Sequence, residues 1–327
     1  MNDRKLLKSI IAVLFLLAAC TSKEVSPIVI ERLDAEMINL KTRAEIQHFL
    51  DKNRNLKEIF FLSETDMPDS VLVDRIYQTV TNPAFQKFYN ELNKNAGDLG
   101  EVKTQFAEAF SQVQKLYPDF KPPKVKTVIS GLGHFSRDAA ALSVSDSLIV
   151  ISLDFYAGEK ATFVPSVPNF LLKKYTLEAL VPSIMSVLAE KFIVTNTEDK
   201  SLLNEMIIAA KKLEFTHEVM PETPDSLIIF YTEKQLKDAE EHKNVIWAHF
   251  VKEKLLYETN HFKKVKYIGD RPYTAEIGTD CPGAIGRWLG WQIVKKYLDE
   301  NSEVTLSSLL SNPDSQNIFM KSKFKGE

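Results

Sequence analysis

The chain has 327 residues, 44% of them hydrophobic and 26% charged, with 11 glycines, 14 prolines and a formal net charge of −3. These proportions exclude collagen-like, low-complexity and wholly disordered chains. A mildly acidic balance also argues against a nucleic-acid binder, because neutralising phosphates requires a basic surface.

The N-terminus reads as an address. Lys5 and Lys8 precede the ten apolar residues 10–19, which end at Cys20. In a helix such a run spans roughly 15 Å, half of a ~30 Å hydrocarbon core, so it is the h-region of a signal peptide and not a membrane span. Leu17-Ala18-Ala19-Cys20 resembles a bacterial lipobox, in which the cysteine sulfur is alkylated by diacylglycerol before cleavage. The division expected is a signal peptide over 1–19, a lipidated cysteine and polar tether over 20–28, and a globular body over 29–327. Length alone suggests about two domains, but the body is taken as one large one. Membrane lipid, reached through acylated Cys20, is the first partner expected, and two or three acyl chains anchor stably. Thr21 stands where an Asp would signal inner-membrane retention, which points to the outer membrane of a Gram-negative cell.

Within the body, residues 29–40 open as a strand and Thr42 starts a helix carrying Ile46 and Leu50 on one face. Asn82-Pro83 supplies an N-cap and an N1 proline ahead of Phe85, Phe88, Tyr89 and Leu92. Asp98-Leu99-Gly100-Glu101 is patterned like a capping box, and Val102, Phe106, Phe110 and Val113 follow at helical spacing until Pro118. These aromatic stripes are core. After Pro122-Pro123 the pattern changes: residues 125–129 and 141–155 read as strands, the second run divided near Ser145-Asp146. Gly131-Leu132-Gly133-His134 between them reads as a hairpin turn, since a dinucleotide fingerprint would need a third glycine and a following helix.

Beyond Pro168 the chain turns helical again, with stripes through Leu177, Leu180, Val181, Ile184 and Leu188, and then Leu202, Met206, Ile207 and Ala210. Thr232-Glu233-Lys234-Gln235 is a capping box opening a long helix expected to reach Tyr257. Five glycines lie between Gly269 and Gly290, in a loop expected to enter a helix near Asp280 with Pro282 at its first turn. Short helices over 305–310 and 315–319 close the chain. The fold class expected is α+β, mainly α-helical, with a small β-sheet near residues 125–156 packed against helices.

Catalytic templates fail one by one. The sequence has no G-x-S-x-G elbow, Walker loop or C-x-x-C pair. His217-Glu218 begins a zincin pattern, but Pro221 stands where the second histidine belongs. His242 and His249, seven apart on the expected long helix, are ~10.5 Å apart along its axis and cannot share an ion. His249 and Glu253, four apart, could share one, although a solvated ion pair explains that spacing better. Cys281 at a helix start would have a lowered thiol pKa, yet no histidine lies near it in sequence, and a capping or buried structural cysteine is the simpler account. No cofactor or metal site is expected.

The most distinctive stretch is Cys281-Pro282-Gly283-Ala284-Ile285-Gly286-Arg287-Trp288-Leu289-Gly290-Trp291. Gly286 and Gly290 clear one face of a helix so that another element can approach it, while Trp288 and Trp291 project to other sides. These four are the candidate interaction or packing surface. The stretch resembles the C-terminal signature of the gliding motility lipoprotein B (GldB) family of Bacteroidota. Leu153-Asp154-Phe155-Tyr156, Leu202-Leu203-Asn204-Glu205, Tyr231-Thr232-Glu233-Lys234-Gln235 and Ile268-Gly269-Asp270-Arg271-Pro272 are similar too, in family order. The resemblance implies an envelope lipoprotein linked to gliding and type IX secretion machinery, periplasm-facing and partnered by proteins of that machinery. It also implies a zincin-like body in which residues 178–192 stand where H-E-x-x-H would be and Glu205 stands at a third-ligand position. The first of these helices carries no ligand, so no catalytic residue is assigned. The function expected is a non-catalytic structural or interaction role. A metal-dependent hydrolase with an unrecognised site, built for example on His249 and Glu253, is the alternative.

Overall fold

Residues 28–61, 67–135 and 141–327 are described by the structure, a computed structural model. The signal peptide, Cys20 and most of the tether lie outside the described residues. The strand expected at the start of the body is only three residues long, β1 (Ile30–Arg32), and passes directly into α1 (Leu33–Met37). α2 (Arg43–Lys52) starts where its cap predicts: Thr42 accepts the Glu45 N–H, and the Glu45 carboxylate accepts the Thr42 N–H. α3 (Asp69–Val80) precedes α4 (Pro83–Ala96), where the Asn82 carboxamide oxygen accepts the Ala84 and Phe85 N–H groups. At α5 (Gly100–Leu116) the expected box does not form. The N-cap is Leu99, held at φ 61°, and Asp98 accepts the Gly100 N–H at 3.0 Å and the Lys103 ammonium at 3.3 Å. Phe85, Phe88, Phe106 and Phe110 are buried, as their spacing requires.

The sheet corrects the hairpin reading. β2 (Lys124–Val128), β3 (Leu142–Val144) and β4 (Leu148–Ser152) join β1 in the order β1-β2-β4-β3. β2 runs parallel to both neighbours, with Val125 opposite Ile30 on one side and Ile149 on the other. Only β3 and β4 are antiparallel. Ile149, Val150 and Ile151 are all buried, as in a strand covered on both faces, and such continuous apolar runs mark parallel sheets. Gly131-Leu132-Gly133 is therefore a turn at the carboxyl end of β2, at φ 66°, 51° and 95°. The buried Asp154 carboxylate fills its concavity, accepting the Ser130 N–H at 3.1 Å and the Leu132 N–H at 2.6 Å. Those are the donors a phosphate would need. Burial pushes Asp154 up to about 6 in spite of these bonds.

A second buried carboxylate ties the sheet to the first helices. Asp34 takes two hydrogen bonds from the Arg32 guanidinium, at 2.9 and 2.8 Å, one from Tyr89 Oη at 2.6 Å and one from Thr127 Oγ1. Burial raises its pKa, but these donors outweigh burial and hold it below the ordinary value.

The second half is helical. α6 (Leu177–Leu188) is capped by Thr176 and runs straight through Pro182. α7 (Leu202–Val219), capped by Ser201, is followed by the short α8 (Asp225–Ile229). The long helix expected from Thr232 is broken. α9 (Glu233–Glu241) has its predicted capping box, but His242 leaves helical geometry and places its Nδ1 2.8 Å from the Asp238 carbonyl oxygen. α10 (Lys243–Lys252) then resumes, burying Ile246 and Phe250, and stops short of Tyr257, with Lys254 at φ 54°. α11 (His261–Ile268) leads to the glycine-rich loop. α12 (Ile285–Glu300) is capped four residues later than expected, at Ala284 with φ 56° instead of near Asp280, because Pro282 is bridged to Tyr273 across the loop. α13 (Leu306–Ser311) and α14 (Ser315–Ser322) close the chain. One apolar core runs from Ile30 to Phe324.

Candidate functional site

α12 is the central helix of the second half, and its four singled-out residues are all buried. The two glycines admit two different elements. A methyl group on Gly290 would stand 2.5 Å from the Met206 carbonyl oxygen of α7, and one on Gly286 would stand 3.1 Å from the Tyr267 carbonyl oxygen of α11. Trp291 donates from Nε1 to the Glu214 carboxylate at 2.6 Å, whereas Trp288 Nε1 has no hydrogen-bond partner among the described residues. The tryptophans do project to different sides, but each side is interior.

The residues weighed for catalysis do not converge. His249 places Nε2 3.0 Å from the Tyr267 hydroxyl, and Glu253 is exposed beside Lys252. Glu205 pairs with the buried Lys264 ammonium, which also donates to the Lys200 carbonyl at 2.7 Å. His217, at the end of α7, bonds Asp225 at 2.9 Å, and Asp225 also takes Lys295 at 2.6 Å. The Asp225 carboxylate raises the imidazole pKa. Cys281 is not at a helix start. Burial pushes its thiol up to about 12, the opposite of an activated nucleophile. Among the described residues no three His, Cys, Asp or Glu side chains are grouped to hold a metal ion.

What the fold does bring together is the three C-terminal signature segments. The loop 269–284 folds back on itself, with Thr274 fully buried and its hydroxyl donating to the Pro282 carbonyl at 2.7 Å. Gly283 packs so closely that a methyl group there would overlap the Arg271 carbonyl oxygen at 1.8 Å. Tyr231 Oη donates to the Gly283 carbonyl at 2.8 Å, joining the start of α9 to this loop. Between them and the 3-10 turn Asn169–Lys174 lies a pocket of about 50 Å3. Phe230 and Ala284 line it, both non-glycine residues held at positive φ, 59° and 56°. Such conformations cost on the order of 1–2 kcal/mol and persist only where surrounding packing enforces them.

The polar lining of the pocket is cationic. Asp270 receives Lys174 at 2.8 Å and Arg287 at 3.1 Å, and these partners hold its pKa below the ordinary value against the effect of burial. Arg271 turns its guanidinium to Glu276 at 2.8 Å. Lys173 forms no ion pair among the described residues. Its ammonium donates to the Gln235 amide oxygen at 3.1 Å and lies 5.8 Å from the centre of the Tyr231 ring. Burial, then the neighbouring Lys174, lowers its pKa. Gln235, Asp270, Arg271 and Arg287 stood inside the signature segments, but nothing in the sequence assigned them a role. Lys173 and Lys174 carried no mark beyond a basic pair after an apolar run.

Among the described residues no helix is long and apolar enough to cross a membrane. The family described as gliding motility protein GldB matches residues 19–326. No curated protein and no solved structure matches the chain, so the zincin likeness gains no support.

Proposed function

From the premise that this chain belongs to the gliding motility protein GldB family, we propose that it acts without catalysis, as a lipid-anchored scaffold in a cell-envelope machine. The observation that carries this reading is where the reactive side chains are spent. His249 bonds Tyr267, Glu205 pairs with Lys264 and Cys281 is buried, while Gly286, Trp288, Gly290 and Trp291 of the signature helix all lie in the core. The anchor is Cys20 on the outer membrane with the body facing the periplasm, and the partners are envelope proteins of gliding or type IX secretion machinery. The docking-face role for Gly286, Trp288, Gly290 and Trp291 has no place in this proposal, because these four residues are all buried.

The test is metal content of the full chain, purified in detergent without chelator or affinity histidines, with melting measured with and without EDTA. The scaffold reading expects no stoichiometric metal and no EDTA shift. Stoichiometric zinc with an EDTA-sensitive melt would overturn it in favour of a hydrolase. For the anchor, Cys20→Ser should abolish incorporation of labelled fatty acid, and retained label would sink the lipidation reading.

A further inference from the structure

The pocket between the 3-10 turn Asn169–Lys174 and the loop 269–284 has a charge imbalance that the fold does not need. Lys173, Lys174 and Arg287 converge on it, and Asp270 is the one carboxylate among its lining residues. Asp270, already shared by Lys174 and Arg287, and exposed Glu159 act on Lys173 only at longer range, without an ion pair. A fold seeking only stability would give a half-buried ammonium a carboxylate partner or would not bury it. Here its partner is a neutral amide. Close packing at Gly283 and the positive φ of Phe230 and Ala284 fix the walls around it, so the cations are held by a rigid frame.

We propose that this pocket seats one phosphate group, with Lys173, Lys174 and Arg287 as its ligands and Asp270 as the internal counter-ion that keeps two of them in register. Three cations facing one carboxylate leave an excess of about two unit charges, which matches a phosphate at neutral pH, whose charge is about −1.5 to −2. Arg287 supplies a planar fork suited to two phosphate oxygens, and the lysines supply point charges. The volume sets the size limit. Small-molecule pockets run roughly 300–1,000 Å3, so a cavity of about 50 Å3 takes a single phosphoryl-sized group and leaves anything attached to it outside. The phosphate could be free or be the headgroup of a lipid. This inference does not depend on the scaffold role.

The experiment measures melting of the full chain in detergent at constant ionic strength, titrating inorganic phosphate and glycerol 3-phosphate against chloride. Phosphate should protect the protein saturably. Lys173→Gln and Arg287→Gln should weaken that protection at least tenfold while melting in chloride within a few degrees of the parent. Lys252→Gln, an exposed lysine on α10, should leave it intact. Protection by both probes identifies an esterified phosphate as the source, and protection by inorganic phosphate alone identifies the free ion. If phosphate does no more than chloride, or if both pocket variants keep full protection, the proposal is overturned.

Discussion

The seam where α12 crosses α7 and the pocket at the foot of α12 are built from the same signature segment but obey opposite rules. Along the seam every approach is closed: Gly290 lies against the Met206 backbone, and Trp291 bonds Glu214 in the interior. At the foot, only a few residues earlier in the chain, charges of one sign are gathered and left short of partners. Two lysines make the contrast concrete. Lys211 on α7 is 1% exposed and gives its ammonium to the Asn312 carbonyl, while Lys173 gives its own to a neutral amide at the wall of an open pocket. Neither forms an ion pair among the described residues, and burial lowers both pKa values. The same desolvation becomes pH-dependent stability where the site is sealed and affinity for anions where it is open.

The most severe way to break this contrast is to open the seam. Gly290→Leu has no room against a backbone carbonyl, and neither helix can retreat without uncovering Trp288 and Trp291. The variant should not reach a folded state, measured as loss of a cooperative melt. Gly290→Ala should cost about 1–3 kcal/mol in urea unfolding, the usual cost of overpacking. A folded, parent-like Gly290→Leu would mean that the seam is loose and that the signature glycines serve some purpose other than close packing.

Lys211 sharpens the sealed side of the comparison. Burial pulls its folded-state pKa from the ordinary 10.5 down to about 8. Between those two values the unfolded chain holds the proton that the folded protein has lost, so stability rises as pH climbs from about 8 towards 10.5. Below 8 the folded state carries the full cost of a buried charge. Lys211→Met should therefore stabilise the protein at pH 7 by on the order of 2 kcal/mol, at 1.36 kcal/mol per pKa unit with part of the shift discounted. The advantage over the parent should shrink by pH 10.5, as urea denaturation at the two pH values would show. An advantage independent of pH would place it in packing and not in the charge.

Much of the fold was legible where chemistry is local. Thr42, Asn82, Thr232 and Thr305 cap the helices they announce, because a side-chain oxygen and the first turn lie within three residues of each other. The misses share a cause. Parallel pairing of β2 with β1 and β4 joins residues far apart in sequence, and the mark it left, an unbroken apolar run through β4, also fits an antiparallel strand in a core. Leu99, Phe230 and Ala284 adopt positive φ without being glycine, so no residue type announced those helix ends. The α9–α10 break needed His242 to turn back on Asp238, which a helical pattern hides. As for the pocket, Asn169–Lys174 and the loop 269–284 are about a hundred residues apart, so its charge imbalance exists only after folding.

The two tryptophans of the seam give a narrower test. Trp291→Phe keeps most of the apolar area but removes the donor to Glu214, whose pKa burial already raises. Leaving a buried acceptor unsatisfied costs about 1–3 kcal/mol. Trp288→Phe loses comparable area but deletes an indole N–H that has no partner among the described residues, which offsets part of the loss. Trp291→Phe should therefore be the more damaging of the pair in urea unfolding. The reverse order would mean that the Glu214 bond contributes little to the seam.

The smallest effect falls at the pocket, and it decides whether the comparison holds. Lys173→Met removes a half-buried cation that lacks a carboxylate partner and keeps most of the aliphatic stem beside Tyr231. Stability should change by no more than about 0.5 kcal/mol, as for substitutions away from the core, or rise slightly because desolvation is relieved. Phosphate protection should vanish in the same protein. A residue whose removal leaves the fold indifferent or improved while abolishing binding is held for its ligand, since residues suited to function are often poorly suited to stability. If Lys173→Met instead costs more than about 1 kcal/mol, the lysine is a structural strut. Seam and pocket would then follow one rule, and the excess charge at the foot of α12 would belong to the packing.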